Sequence, residues 1–261
     1  SFYNSDGELS NIFAFIANNK KDPNLIIRNG HKKVLEARLK DTSFFINEDL
    51  LLKLSNRIEL LRDITYFEGL GNLELKVNRL LSLSKFLCKE INFKLSPASE
   101  KIILISKSDL TTLMVKEFPS LQGKVGYYYA MKEGYKKSDC RAISEQYLPN
   151  NDDSSVPKSK FSICLALVEK IDHVVGAFLA KKKPSGSKDP FATRRATIGL
   201  IRILIENKLS IDIKKYIKLS LSLYKIDDNE TKVEILNFIE TRLSIYFKEM
   251  GYDTKIQNAV S

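Results

Sequence analysis

From residue 30 onward the apolar positions fall three and four apart. Val34, Leu35, Leu39 and Phe45 lead into Leu50, Leu51, Leu52 and Leu54, then Ile58, Leu61 and Ile64, and next Leu73, Val77, Leu80, Leu81 and Leu87. That spacing gathers apolar side chains on one face of each of several successive amphipathic helices. Gly69-Leu70-Gly71-Asn72 interrupts the pattern, as does the stretch 93–99 with Pro97. Residues 100–116 then predict one further helix, stopped near Pro119 and Gly123. Residues 161–180 predict an apolar helix broken only by Glu169-Lys170 and Asp172-His173; residues 190–207 predict another, and two more follow between Ile211 and Gly251. The longest polar stretch, residues 149–159, is the predicted mobile loop.

The first twenty residues obey a different rule. Asp6-Gly7 is a turn signal between Phe2-Tyr3 and the apolar run 12–17, which suits a buried strand. A lone hairpin is marginal in water, so the expectation is a short β hairpin left over from an upstream domain, with the chain holding an internal piece of a longer protein. The expected fold class is mainly α. Residues 1–29 would close the upstream domain, 30–206 would form the main helical domain, and 207–261 would be a helical tail.

At 261 residues and 43% hydrophobic content the chain can bury a substantial core. Its 42 Lys and Arg against 32 Asp and Glu give a formal charge of +10, which favours nucleic acid or another anionic surface as partner. Cys88, Cys140 and Cys164 are odd in number and unpaired by spacing, so neither a disulfide framework nor a zinc site is suggested; they read as reduced core thiols. No apolar run approaches the ~20 residues of a membrane span, and a soluble, cytoplasmic protein is expected.

The charge is concentrated. Residues 181–195 hold six basic side chains and one acid, straddling a loop and the start of a helix. Asp189 is placed to accept from backbone N–H groups of the following turn, and Pro190 suits the first helical position. Ser185-Gly186-Ser187 supplies small residues, and a helix N-terminus favours anions. Further down the same helix Arg195, Gly199, Arg202 and Glu206 share a face. Lys182, Lys183, Ser187, Lys188, Arg194, Arg195 and Arg202 are therefore the candidate contacts to a polyanion.

The segment from Pro184 to Ala196 closely resembles the signature of the β subunit of the bacterial two-subunit glycyl-tRNA synthetases. Other blocks are similar in the same order: Gly30-His31-Lys32-Lys33 with Glu36-Ala37-Arg38, Glu68-Gly69-Leu70-Gly71, Lys107-Ser108-Asp109-Leu110, Gly126-Tyr127-Tyr128-Tyr129-Ala130, Glu145-Gln146-Tyr147-Leu148-Pro149, and Leu165 through Asp172. The resemblance implies an HD-domain-like helical bundle over residues 30–206 that binds and positions glycine tRNA, with the helical tail 207–261 leading to an anticodon-binding domain. Glycylation with ATP would occur on a separate α subunit, so no cofactor and no aminoacylation residue is expected in this chain. Partners implied are glycine tRNA and that α subunit.

HD phosphohydrolases hold metal with a His, a His-Asp pair and a final Asp. At those positions this chain offers Tyr66-Phe67, Ser108-Asp109 and Asp172. Two carboxylates without imidazoles bind a transition metal poorly, and Asp109 and Asp172 are read as structural or tRNA-facing. The alternative is a metal-dependent HD-superfamily hydrolase using both. His173 is expected to be a satisfied, half-buried histidine and His31 a surface one. Of Tyr127, Tyr128 and Tyr129 at least one is expected in the core.

Overall fold

The computed structural model describes residues 2–8, 10–18, 21–151, 153–182, 189, 191–226 and 228–251. The chain is mainly helical and divides into two compact units, residues 1–47 and 48–261.

In the first unit the Asp6-Gly7 turn forms, with Gly7 at φ +77° and the backbone folded back by Gly7 N→Asn4 O (3.0 Å), Asn4 N→Glu8 O (2.9 Å) and Ser10 N→Phe2 O (2.8 Å). The expected strand over 12–17 does not. The described residues contain no strand, and Ile12, Phe13, Phe15 and Ile16 are exposed. An apolar run signals a need to be covered without naming the cover, and a strand also needs a ladder partner. Helix α1 (Ile26–Leu50) starts earlier than Gly30, because the Asp22 carboxylate accepts from Ile27 N (2.8 Å) and Arg28 N (3.0 Å) and so supplies the missing acceptors of the first turn.

The second unit carries α2 (Leu73–Glu90), α3 (Pro97–Ile105), α4 (Leu113–Glu117), α5 (Lys124–Lys132), α6 (Lys137–Glu145), α7 (Lys160–Leu179), α8 (Thr193–Glu206), α9 (Ile213–Leu223) and α10 (Asn229–Glu249). Ser and Asx side chains open many of them: Asn72 caps α2, Ser96 caps α3 with Pro97 at its first position, Ser159 caps α7, and Asp212 and Asp228 cap α9 and α10.

α7 is the axis. Nearly all its side chains are buried, and it packs against α2, α6, α8, α9 and α10. Val174, Val175 and Phe178 join Ile217, Leu221 and Ile235 in one apolar cluster, while Leu61, Leu73 and Val77 form another. Each such side chain contributes about 1.5–3 kcal/mol of burial, which explains why the surrounding helices are drawn to α7. Cys88, Cys140 and Cys164 are all free and buried, as expected.

The single helix expected over 100–116 is broken into α3, a 3₁₀ turn at Ser108–Thr111, and α4. The hydroxyls of Thr111 and Thr112 explain it. They donate to Ser108 O (2.8 Å) and Asp109 O (2.6 Å), and Thr112 Oγ then accepts from Val115 N (3.2 Å) to restart the helix. The loop after α6 is also less free than its composition suggests. Val156 is buried, Ser154 Oγ accepts from Asn150 N and Asn151 N, and Arg202 holds the carbonyls of Asn151 (3.1 Å) and Ser154 (2.9 Å).

Gly176 gives the fold a sharp test. A Cβ there would lie 2.8 Å from Tyr224 Oη and 3.1 Å from the Phe67 ring, whereas a Cβ at Gly30 in α1 meets nothing within 4 Å. Gly176→Ala is expected to destabilise by about 1–3 kcal/mol through overpacking, and Gly30→Ala to stabilise by about 0.5–1 kcal/mol through chain entropy. Urea denaturation checks both; a gain in midpoint for Gly176→Ala would show that the Tyr224 and Phe67 packing yields freely.

Candidate functional site

On α7, Glu169 and Asp172 are three residues apart, and on α2 so are Lys76 and Arg79; both pairs face the seam between the two helices. Asp172 is wholly buried. Its Oδ1 accepts from Arg79 Nε (2.7 Å), and its Oδ2 accepts from Arg79 Nη2 (3.2 Å) and Lys76 Nζ (3.3 Å). Lys76 Nζ also lies 3.2 Å from Glu169 Oε1, and Lys107 Nζ reaches the same oxygen at 3.0 Å. Aromatic faces cover the cations: Lys76 sits over Tyr66, Arg79 over Tyr224 at 3.9 Å, and Lys107 over Tyr147.

Each charge would cost several kcal/mol to bury alone, so the set is stable only because its members satisfy one another. Burial by itself would raise Glu169, but Lys107 and Lys76 overrule it and hold its carboxyl well below the usual range. Burial lowers Lys107, with only partial compensation from Glu169. Lys170 points to the other side of α7 and is pushed down to about 8, by burial first, with Lys107 and Lys76 adding to it. It has no hydrogen-bond acceptor among the described residues. Its stem runs against Gly199 of α8, where a Cβ would come within 2.5 Å of Lys170 Cε.

The polar chain continues outward. Lys76 donates to Tyr66 Oη (2.9 Å), Tyr66 Oη meets His173 Nδ1 (3.3 Å), and His173 Nε2 meets the carbonyl of Phe191 (2.7 Å). These partners assign the proton to Nε2, which donates to Phe191, while Nδ1 accepts from the phenol. Burial, reinforced by Lys76, depresses His173 and keeps the ring neutral. The expectation of a satisfied histidine is met, and its role is to tie the charge cluster to the turn before α8. His31 stacks on Phe15 at 4.1 Å and is exposed.

Asp109 has different partners. Its Oδ2 accepts from Gly123 N (2.6 Å) and Gly126 N (3.3 Å), and the bare Cα of Gly126 lets the carboxylate approach. Burial raises its pKa, partly offset by the Gly123 N–H. Asp109 and Asp172 therefore do not form a joint ligand set. A metal at Asp172 would have to displace Arg79 and Lys76 and then sit beside Lys107, and no three His, Cys, Asp or Glu side chains converge as a metal site among the described residues. The residues present do not fit a metal hydrolase: the carboxylates that could ligate an ion are already taken up by ammonium, guanidinium and backbone N–H groups.

The basic segment begins where α7 ends and returns at α8. Asp189 Oδ1 accepts from Thr193 N (2.8 Å) and Oδ2 from Arg194 N (3.1 Å), so Asp189 is the cap, as expected. The helix starts at Thr193 and not at Pro190, because Ala192 is left-handed (φ +56°) and the cap reaches four and five residues ahead. One consequence corrects the reading of this terminus as a phosphate seat: its first free N–H groups already hold a carboxylate. Lys182 is exposed, with its ammonium 5.8 Å from the Phe191 ring; Arg195 is exposed, and Arg194 is half-buried. Arg202 is engaged internally, with Glu206 (2.8 Å) and the two loop carbonyls. Lys183, Ser187 and Lys188 lie outside the described residues.

Sequence reasoning missed Lys76, Arg79, Lys107 and Lys170, since basic side chains default to the surface. The available signal was four ionisable residues inside an apolar helix, which required counter-charges from neighbours. Tyr129 is the core tyrosine of its trio, donating to buried Asp49 (3.1 Å), and Tyr128 is exposed.

Fold and site define a helical domain closed around an internal ion-pair cluster, with a cationic surface at one end of its central helices. Over residues 1–261 the chain matches the family described as "Glycyl-tRNA synthetase beta subunit". It is 38% identical over 258 residues to the glycine–tRNA ligase beta subunit of Colwellia psychrerythraea, covering 98% of this chain and 37% of that protein. Identity is likewise 38% over 258 residues to the corresponding protein of Sulfurihydrogenibium sp. (99% and 36% covered), and 37% over 264 residues to that of Buchnera aphidicola (98% and 38%). The chain belongs to the glycyl-tRNA synthetase β-subunit family and spans well under half the length of these relatives.

Two substitutions separate the roles of the buried charges. Asp172→Asn leaves Arg79 and Lys76 undercompensated and is expected to cost about 3–5 kcal/mol. Lys170→Met removes an ammonium that has no acceptor among the described residues and is expected to raise stability by about 1–3 kcal/mol. Thermal and urea unfolding near pH 7 read both; a less stable Lys170→Met would show that the amine has a partner essential to the fold.

Proposed function

We propose that this chain is the central part of a glycyl-tRNA synthetase β subunit, and that it binds glycine tRNA and positions it for ATP-dependent glycylation at the active site of the α subunit. The supporting observation is the mounting of the basic segment. Residues 181–195 carry a net +5, and both flanks are fixed to the core: Lys182 N donates to Ala177 O at the end of α7, while Asp189 caps α8 and Phe191 accepts from His173. A cationic loop with anchored ends presents Lys182 and Arg195 at a fixed spacing, which suits the phosphates of an RNA duplex.

In this reading the helices from α2 to α8 form an HD-like domain whose metal centre is replaced by the Lys76, Arg79 and Lys107 cluster. The chain itself contributes no cofactor site and no aminoacylation residue. Its partners are glycine tRNA and the α subunit, in the cytoplasm, and ATP is consumed by the α subunit. The relatives' names carry the word ligase, and the corresponding activity of this protein is a property of the assembled subunits.

Lys182→Ala with Arg195→Ala tests the clamp on two exposed side chains. Fluorescence anisotropy with glycine tRNA over a salt series is expected to show weaker binding and a salt slope reduced by about 1 for each phosphate no longer neutralised. Unchanged affinity and slope would sink the clamp. If tRNA binding is unchanged while association with the α subunit disappears, the face docks protein instead.

A further inference from the structure

A cleft of about 480 Å³ opens between the start of α2, the turn after α9 and the Gly69-Leu70-Gly71 loop. Arg79 lines it and Asp172 does not. The Arg79 side chain is only 7% exposed and spends Nε and Nη2 on Asp172, so Nη1 has no acceptor among the described residues while the residue lines the cleft. A guanidinium edge that opens on a cleft and has no protein acceptor among the described residues marks a place for water or an anionic ligand. Lys225 stands at the rim, exposed, on a left-handed backbone (φ +59°) that costs a non-glycine residue energy.

The remaining walls differ in character. Leu70, Leu223 and Ile226 line it, and Leu75 is 50% exposed there, an apolar side chain left uncovered beside two cations. Gly69 is left-handed (φ +78°) and a Cβ there would meet nothing within 4 Å, so its backbone is bare and a planar group can approach it closely, whereas Gly71 is covered by the Leu75 side chain. Cationic floor, apolar wall, bare-backbone wall and a volume within the usual range for small-molecule sites describe an amphipathic anion with a flat apolar part.

We propose that this cleft binds a nucleotide, its phosphate on Arg79 Nη1 and Lys225 and its base against Leu75 and Leu223. The nucleotide is either a free mononucleotide or an unstacked residue of an RNA strand; the recognition chemistry is the same. The site shares no residue with the basic segment at 181–195 and stands whether or not that segment clamps tRNA.

The test titrates the 261-residue chain calorimetrically with the four nucleoside 5′-monophosphates, with adenosine, and with inorganic phosphate. Saturable binding of at least one nucleotide, about tenfold or more tighter than adenosine or phosphate alone, is expected. Lys225→Gly keeps the left-handed backbone and removes the amine, and is expected to weaken binding about fivefold or more. Ser82→Phe fills the cleft from α2 and abolishes binding, with circular dichroism confirming the fold. Displacement of the mononucleotide by single-stranded RNA identifies RNA as the occupant, and failure to displace it identifies a free nucleotide. No saturable nucleotide binding, or binding that survives both substitutions in folded protein, overturns the proposal.

Discussion

Asp172 is the residue on which most of the second unit depends. A carboxylate with no exposed surface must find its counter-charge inside the protein, and it finds it on α2, through a two-pronged contact with Arg79 and a third bond from Lys76. That requirement fixes the register of α2 against α7, since a shift of one residue would carry Lys76 and Arg79 off the shared face. Tyr224 then closes the cluster from the end of α9, stacking on Arg79 and donating to the Asp172 carbonyl (3.3 Å). Apolar burial draws the helices together without specifying depth or rotation. The ion pairs specify both.

The same cluster reaches the surface through neutral groups. Lys76, Tyr66, His173 and the Phe191 carbonyl form a hydrogen-bonded line from the core to the turn before α8, and Phe67 and Phe191 pack beside it with ring centroids 5.8 Å apart. The basic segment is thus held by a network that itself contributes no charge to the surface. Because Asp189 already occupies the N–H groups of α8, any polyanion bound there would be held by side chains, and long cationic side chains on fixed Cα positions would read the spacing of phosphates and not the identity of bases.

Much of this was legible in the sequence because it follows from periodicity. α2, α7, α8 and α10 announce themselves by apolar spacing, and Asp189 by its place before a helix. The rest depends on three-dimensional partners that one-dimensional patterns do not carry. The break at Thr111 and Thr112 arises from hydroxyls competing for carbonyls, an effect of a fraction of the energy that periodicity implies. The stripe Arg195, Gly199, Arg202, Glu206 was real as geometry, yet it divided in function: Arg195 faces solvent, Gly199 makes room for Lys170, and Arg202 ties down the loop after α6. Residue type named the surface; only the bonded partners separated a free cation from a committed one.

Neutralising buried carboxylates with tethered lysine and arginine side chains has a structural consequence that a bound metal ion would not have. A metal ion dissociates, and its site must stay open to water and substrate. Ammonium and guanidinium groups tethered to α2 and to the turn before α4 cannot leave, and they close the space with their own aliphatic stems and with Tyr66 and Tyr147. The centre of the bundle becomes an internal brace, insensitive to metal supply, and α7 and α8 are joined by it through His173. The proposed positioning of a polyanion would draw on that rigidity, because an error of about 1 Å at a holding surface is carried in full to a distant reacting end.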